Sequence, residues 1–196
     1  MARATPETHA EILAAATRQF AATGYKGTSL QDIAREVGIS KASVLYHFAS
    51  KEALLTELMA PGLVALHELD DALVGLTGAD AQRVAGEGFV DLAVRFRRKI
   101  ALLRGEFPEL LRQPAFADVQ RISDRLIVAL AGHSTRPAAR IAALVVLAGI
   151  AETCGEFGDV ADGELRDALL GLVRRALETP GPTPPPPHSP ITEEDI

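Results

Sequence analysis

The chain has 196 residues, 47% of them apolar and 23% charged, a balance typical of folded globular proteins that excludes a disordered polar chain. Aromatic residues are few at 5%, with no Trp, while Ala and Leu abound, which favours helix over sheet. The net charge of −6 is unevenly spread: residues 1–55 hold six Lys/Arg against five Asp/Glu, so only this stretch can approach a polyanion without net repulsion. The single cysteine, Cys154, cannot close an internal disulfide, which gives no reason to expect an oxidising compartment. No apolar signal segment opens the chain, because Glu7, His9 and Glu11 interrupt its start. The longest uncharged apolar run, Ile141 to Ala151, is about half of the roughly 20 residues that span a bilayer. These features predict a cytoplasmic, mainly helical protein with no membrane partner.

In chain order, Thr5-Pro6 caps and opens a first helix whose stripe is Ile12, Leu13, Ala16 and Phe20, and Gly24 is its expected stop. Ser29 and Asp32 form an S-x-x-D capping box that opens a short second helix over Leu30 to Val37, ended by Gly38. Ser40 caps a third short helix, about Lys41 to Phe48. Ser50 then caps a long fourth one carrying Leu54, Leu55, Leu58 and Met59, in which Pro61 predicts a kink or break. Gly75, Gly78 and Asp80 mark the next boundary. Residues 81–104 put Ala85, Phe89, Leu92, Ala93, Phe96, Ile100 and Leu103 at helical spacing, opposite Arg95, Arg98 and Lys99. Gly105, Pro108 and Pro114 set off a short piece from a helix of about Ala115 to Ala131. Further helices run from Pro137 to about Phe157 and from Asp162 to about Leu177. No period-2 run of β-branched residues predicts a strand, so the fold class is all-α. Seven of the twelve prolines fall between Pro180 and Pro190, which predicts an extended, solvated tail over residues 179–196.

Residues 1–55 read as a DNA-binding domain. Helices two and three are separated only by Gly38-Ile39-Ser40, the spacing of a helix-turn-helix with a short glycine-containing turn. Ile33, Ala34, Val37, Ile39 and Val44 make its interior. Lys41, Ala42, Ser43, Leu45, Tyr46 and His47 are left near the outer face of the third helix, which fits a major groove about 12 Å wide. The short Ala and Ser side chains let the backbone come close to base edges, and Lys41 and Lys51 sit at helix starts where phosphates would lie. A generic three-helix bundle has the same spacing.

The run Thr28-Ser29-Leu30-Gln31-Asp32-Ile33-Ala34, then Gly38-Ile39-Ser40-Lys41-Ala42-Ser43-Val44-Leu45-Tyr46-His47-Phe48 and Ser50-Lys51-Glu52-Ala53-Leu54-Leu55, closely resembles the signature of TetR-family transcriptional regulators. The resemblance is specific over about Thr8 to Leu58 and rests on architecture beyond. It implies an all-helical homodimer on a near-palindromic double-stranded DNA operator, released when a small-molecule effector enters the larger domain. By position it implies phosphate contacts from Thr28 and Lys51, flanked by Ser29 and Ser40, and groove contacts from Lys41, Ala42 and Ser43. Two positions depart from the family pattern. Ala42 stands where glycine is most frequent, and the phosphate-contacting tyrosine falls at Leu45, with Tyr46 about 100° further round the helix.

Residues 56–178 are expected to hold the effector pocket and the dimer contact. The helix from Pro137 is apolar on nearly every side, so one face needs a second subunit to cover it. With the last helix it predicts an isologous four-helix contact of Ile141, Leu144, Val145, Ala148, Leu165, Leu169, Leu172 and Ala176. Candidate pocket residues are Phe89, Phe96, Phe107 and Phe116, with His67, His133, Glu152 and Cys154 as polar anchors. Enzyme readings find no support. The chain has no G-x-x-x-x-G-K-[ST], G-x-S-x-G or H-E-x-x-H motif, and five scattered histidines and one cysteine give no metal-ligand spacing and call for no cofactor. A ligand-responsive repressor is the expected function. An activator or co-effector-dependent regulator of the same fold, or a helical protein-interaction module, are the alternatives.

Overall fold

The structure, a computed structural model, describes residues 6–101 and 114–177. The Thr5 cap, Phe107 and the proline-rich tail lie outside the described residues. Eight α-helices are described: α1 (Pro6–Gly27), α2 (Leu30–Val37), α3 (Lys41–His47), α4 (Lys51–Ala72), α5 (Gly78–Ala101), α6 (Ala117–Leu130), α7 (Pro137–Glu156) and α8 (Asp162–Leu177). A single 3-10 turn, Pro114–Phe116, leads into α6, and no strand occurs among the described residues.

The boundaries follow local chemistry. Gly24 breaks α1 with φ 76°, leaving one more turn to Gly27. Ser29 Oγ accepts from Asp32 N while the Asp32 carboxylate accepts from Ser29 N, so the capping box is complete. Gly38, at φ 79°, ends α2 in the left-handed region. Its N–H donates to Arg35 O at 3.3 Å and Ile39 N donates to Ala34 O at 3.0 Å, a Schellman arrangement that folds Ile39 back onto the helix end. Ser40 and Ser50 cap α3 and α4 by accepting from Ser43 N and Ala53 N.

Of the kink or break expected at Pro61, the break does not occur: helix α4 runs on through it. Proline cannot donate to the carbonyl four residues back and crowds that turn. Lys99 Nζ, from α5, brings a donor to the same turn by bonding Leu58 O at 3.0 Å. Gly62, next in line, leaves room for the Phe96 ring to lie against the helix.

Three groups of buried side chains hold the helices. Ile12, Phe20, Ile33, Val44, Phe48, Leu54 and Leu55 pack α1–α4 together, with Phe116 closing the group from outside it. Val90, Val94, Ile150, Cys154, Leu165 and Leu169 join α5, α7 and α8. Leu69, Ala85, Leu126, Leu130 and Ala143 join α4, α5, α6 and α7. Helix α4 thus belongs to both halves, since its first turns fill the first group and Leu69 the third. Helix α5 lies at the centre of the larger half, against α4, α6, α7 and α8.

Helix α7 is long and apolar enough to cross a membrane by length and composition alone, with a mean hydropathy of 1.6. One of its faces is already covered: Ala143, Val146, Ile150 and Cys154 are buried against neighbouring helices. Its other face is bare, with Ile141 63% and Val145 64% exposed and Leu144 beside them. On α8 the expected contact residues divide. Leu172 and Ala176 face outward, whereas Leu165 and Leu169 are buried in the protomer's own core and are removed from the proposed dimer contact. The outward stripe of α8 runs instead through Ala168, Leu172 and Ala176.

Candidate nucleic-acid interface

Helix α3 is short, and its side chains divide cleanly by direction. Val44 is fully buried against α1 and α2, while Lys41, Ala42, Leu45 and Tyr46 are exposed. At about 100° per residue those four fall on one arc opposite Val44. Ser43 stands beyond its edge and His47 further round, both half-buried. Tyr46 is the most projecting residue, 78% exposed, with its ring edge-on to His47 at 5.7 Å. The tyrosine whose direction the one-residue offset left open therefore points outward. Ser43 does not: its hydroxyl meets that of Ser40 at 2.9 Å, inside the cap of its own helix.

The scaffold behind α3 is cross-braced. Glu36 on α2 accepts from Gln19 at 2.5 Å and Arg18 at 2.6 Å on α1, and these bonds hold its carboxyl below the ordinary range. His9 stacks on Phe48 at 4.5 Å and bonds Glu57 at 2.5 Å, tying α1 to the end of α3 and to α4. No carboxylate pairs with Lys41 among the described residues.

Two expected phosphate contacts are turned inward. Thr28 is only 2% exposed, and its hydroxyl donates to Gly24 O at 2.8 Å beside the Thr23 hydroxyl at 2.9 Å. That hydroxyl satisfies the break in α1. Lys51 Nζ donates to Tyr25 O at 2.6 Å and Thr28 O at 2.8 Å and lies 4.3 Å from the centre of the Tyr25 ring. Both side chains hold the elbow between α1 and α2. Ser29 and Ser40 act as caps, as their positions predict.

The expected pocket residues are not brought together. Phe116 joins the core of the first four helices, Phe96 lies on Gly62, and Phe89 packs between the other two buried groups. His67 is exposed, bonded to Leu63 O at 2.8 Å, and Glu152 is on the surface. Open clefts occur among the described residues. One of about 540 Å³ lies between α5 and α8, lined by Gln82, Arg83, Glu87, Leu170, Val173 and Arg174. A second, of about 370 Å³, has Asp70, Leu73, Val74, Arg125 and His133 on its walls. A third, of about 270 Å³, is bounded by Ala21, Arg97, Arg98 and Cys154. Only His133 and Cys154 of the expected set line any of these, and they line different ones. Burial pushes the Cys154 thiol up, with a weaker opposing pull from Arg97, so it is a core residue and a poor nucleophile.

Two buried charges escaped the sequence reading. Arg97 is 4% exposed, donates to Phe157 O at 2.8 Å and Val160 O at 2.6 Å, and pairs with Asp162 at 2.8 Å. Asp70, near the end of α4, is buried against Arg125 of α6, with Arg121 at 3.9 Å. Each stands within an apolar stripe, Arg97 four residues after Ala93 and Asp70 four after Leu66, and that placement is the signal of a satisfied internal charge.

Residues 12–58 match the family model of bacterial regulatory proteins, tetR family. The HTH-type transcriptional repressor KstR2 of Mycobacterium tuberculosis is 29% identical over 112 residues, 56% of each chain. The chain thus spans about half the length of this curated relative. The HTH-type transcriptional regulator RutR of Escherichia coli is 51% identical over 43 residues, 22% of this chain and 20% of that one. Among solved structures, AmtR of Mycobacterium smegmatis superposes with a TM-score of 0.64 at 25% identity, covering 91% of this chain and 90% of the other.

Proposed function

We propose, for a chain that belongs to the TetR family of bacterial regulatory proteins, that two copies bind a near-palindromic DNA operator through α3 and repress transcription until a small molecule releases them. The observation that carries this reading is the outer arc of α3. Lys41, Ala42, Leu45 and Tyr46 project together from a helix whose opposite side is locked into the core. Ala42 has no bulk to hold the backbone away from base edges. Leu45 suits a thymine methyl, while Lys41 and the Tyr46 hydroxyl suit phosphate or base oxygens. His47 and Ser43 border the contact. The division of labour is residues 1–55 for DNA and 56–178 for effector and partner, with 179–196 as a solvated tail.

The bare face of α7 supports the homodimer. Ile141, Leu144, Val145 and Ala148, with Leu172 and Ala176 of α8, leave an apolar surface that a second copy would cover by two-fold symmetry. The clefts beside α5 are the places for an effector, and the protein works in the cytoplasm. With a net charge of −6, non-specific attraction to DNA is weak, so affinity depends on the fit of α3.

The test is selection of bound duplexes from a random DNA pool by the purified protein at moderate salt. Enrichment of an inverted repeat is the expected result, with half-sites about one helical turn apart. Enrichment of a single half-site would overturn the dimer. No enrichment from a folded protein, with or without the cell's small-molecule extract, would overturn the DNA reading.

A further inference from the structure

We infer that the cleft between α5 and α8 binds a small amphipathic anion, a single negative head group on a short aliphatic chain. The inference deepens the effector reading above and rests on it for its regulatory consequence. The lining is of two kinds. Leu170, Val173 and Leu177 are aliphatic and at least half-buried, whereas Arg83 and Arg174 are exposed cations. The volume of about 540 Å³ has room for roughly eighteen water-sized groups at about 30 Å³ each, enough for a chain of about eight carbons with its head group.

The balance of charge decides the sign of the guest. Glu87 is the one carboxylate on the lining, against two guanidinium groups. Arg83 meets Glu87 at 3.4 Å and Asp80 at 3.8 Å, exposed pairs four and three residues apart on one helix, and such pairs hold weakly. Among the described residues no carboxylate pairs with Arg174. The first turn of α5 and the last turn of α8 both reach this cleft, so their helix dipoles oppose and leave the side chains to decide. A cation would face both arginines, and a neutral chain would gain nothing from them. The site also stays open in the proposed dimer. Arg174 is two residues from Leu172, about 200° round α8, so the cleft and the dimer stripe face different ways. Val173 links the cleft to the core: it lines the cleft and also closes on Gly86 of α5, where an added methyl would lie 2.7 Å away. A chain pressed on this stiff residue moves α8 against α5, the helix at the centre of the larger half.

The test is binding by the full chain, free of DNA, of octanoate and octyl phosphate, with octanamide as the neutral chain. Backbone N–H shifts locate the guest and calorimetry gives its affinity. The expected result is saturable binding of either anion at millimolar concentration or below, with shifts centred on Ala79, Arg83, Val173 and Arg174. The tighter of the two anions names the head group. Octanamide binds about fivefold more weakly, the size of a hydrogen bond to a charged group at a half-exposed site. Arg83→Gln and Arg174→Gln each reduce that preference. Glu87→Gln tightens the anions about threefold by removing the opposing charge, and leaves octanamide unchanged. All three side chains are at least partly exposed, so these variants keep their fold. Octanamide binding as tightly as the anions overturns the proposal, as does an anion affinity that neither arginine variant moves. So do shifts centred on the Ile141 to Ala148 face, or no saturable binding of either anion. Operator affinity is measured separately. Anions that bind with this signature yet leave operator affinity unchanged keep the site and overturn its regulatory role. A chain that binds no operator defeats the DNA reading, while the binding test still decides the site.

Discussion

Asp32 accepts from the Ser29 hydroxyl at 2.6 Å and the Ser29 N–H at 3.1 Å, and from Arg35 at 2.9 Å, and these bonds hold its carboxyl below the ordinary range. A carboxyl whose pKa is depressed by folding stabilises the fold fully above its unfolded value, near about 3.9, and loses that contribution as the pH falls through the folded value. The difference in melting temperature between the wild type and Asp32→Ala should therefore be constant from pH 7 to about 5 and shrink towards pH 3. A difference that stays constant down to pH 3 would sink this account. Residues of this kind were the easiest to read. Ser29, Gly38, Ser40 and Ser50 act on backbone groups within four positions, so the chain itself names the partner. The contacts of Thr28 and Lys51 within the chain were not legible for the opposite reason: their partners, Gly24 O and Tyr25 O, depend on how the elbow closes in space. Arg97 was hidden among Arg95, Arg98 and Lys99, which read together as a solvated face.

At the scale of elements, helix existence and ends were legible from caps and 3.6-residue stripes, while tertiary partners decided the exceptions. Pro61 removes one donor from the α4 ladder, yet the helix runs on through it, with Lys99 of α5 bonding Leu58 O in the same turn. The α8 stripe showed which residues are apolar, but only the packing of α5 and α7 decides which of them face inward. Gly86 shows how close that packing is, since a methyl there would lie 2.7 Å from a Val173 methyl. Valine is stiff at χ1 and cannot swing aside. Gly86→Ala should lower stability by about 1–2 kcal/mol, a few degrees in Tm, despite the better helix propensity of alanine. Gly163, with open space around it, is the control: alanine there should raise Tm slightly. Equal effects at the two sites would mean that α5 and α8 can move apart freely.

Across the whole molecule, the core groups account for all but one apolar surface of α7. Ile141, Leu144 and Val145 are exposed and belong to none of the buried groups, so their replacement tests assembly more than the fold. Leu144→Arg should leave the circular dichroism unchanged and weaken dimerisation on the order of 100-fold, because two-fold symmetry places two new charges in one apolar contact. Sedimentation velocity at micromolar concentration would report it, and a variant that still sediments as a dimer would falsify the assignment of this face. The effector pocket was the least legible part. Phenylalanines at helical spacing are core residues unless the backbone leaves a hollow, and the clefts here are lined mainly by Arg, Glu, Gln and small aliphatic side chains.

The Arg97 guanidinium bears on how quickly two copies could meet. By holding Phe157 O, Val160 O and Asp162 at once, it sets the corner between α7 and α8 before any partner arrives. That corner then need not be ordered on contact, which spares the freedom its side chains would otherwise lose, at about 0.5–1.5 kcal/mol each. For the proposed dimer, assembly should then be a collision between surfaces already formed at this corner, a bimolecular step on the order of 10⁵–10⁷ M⁻¹s⁻¹.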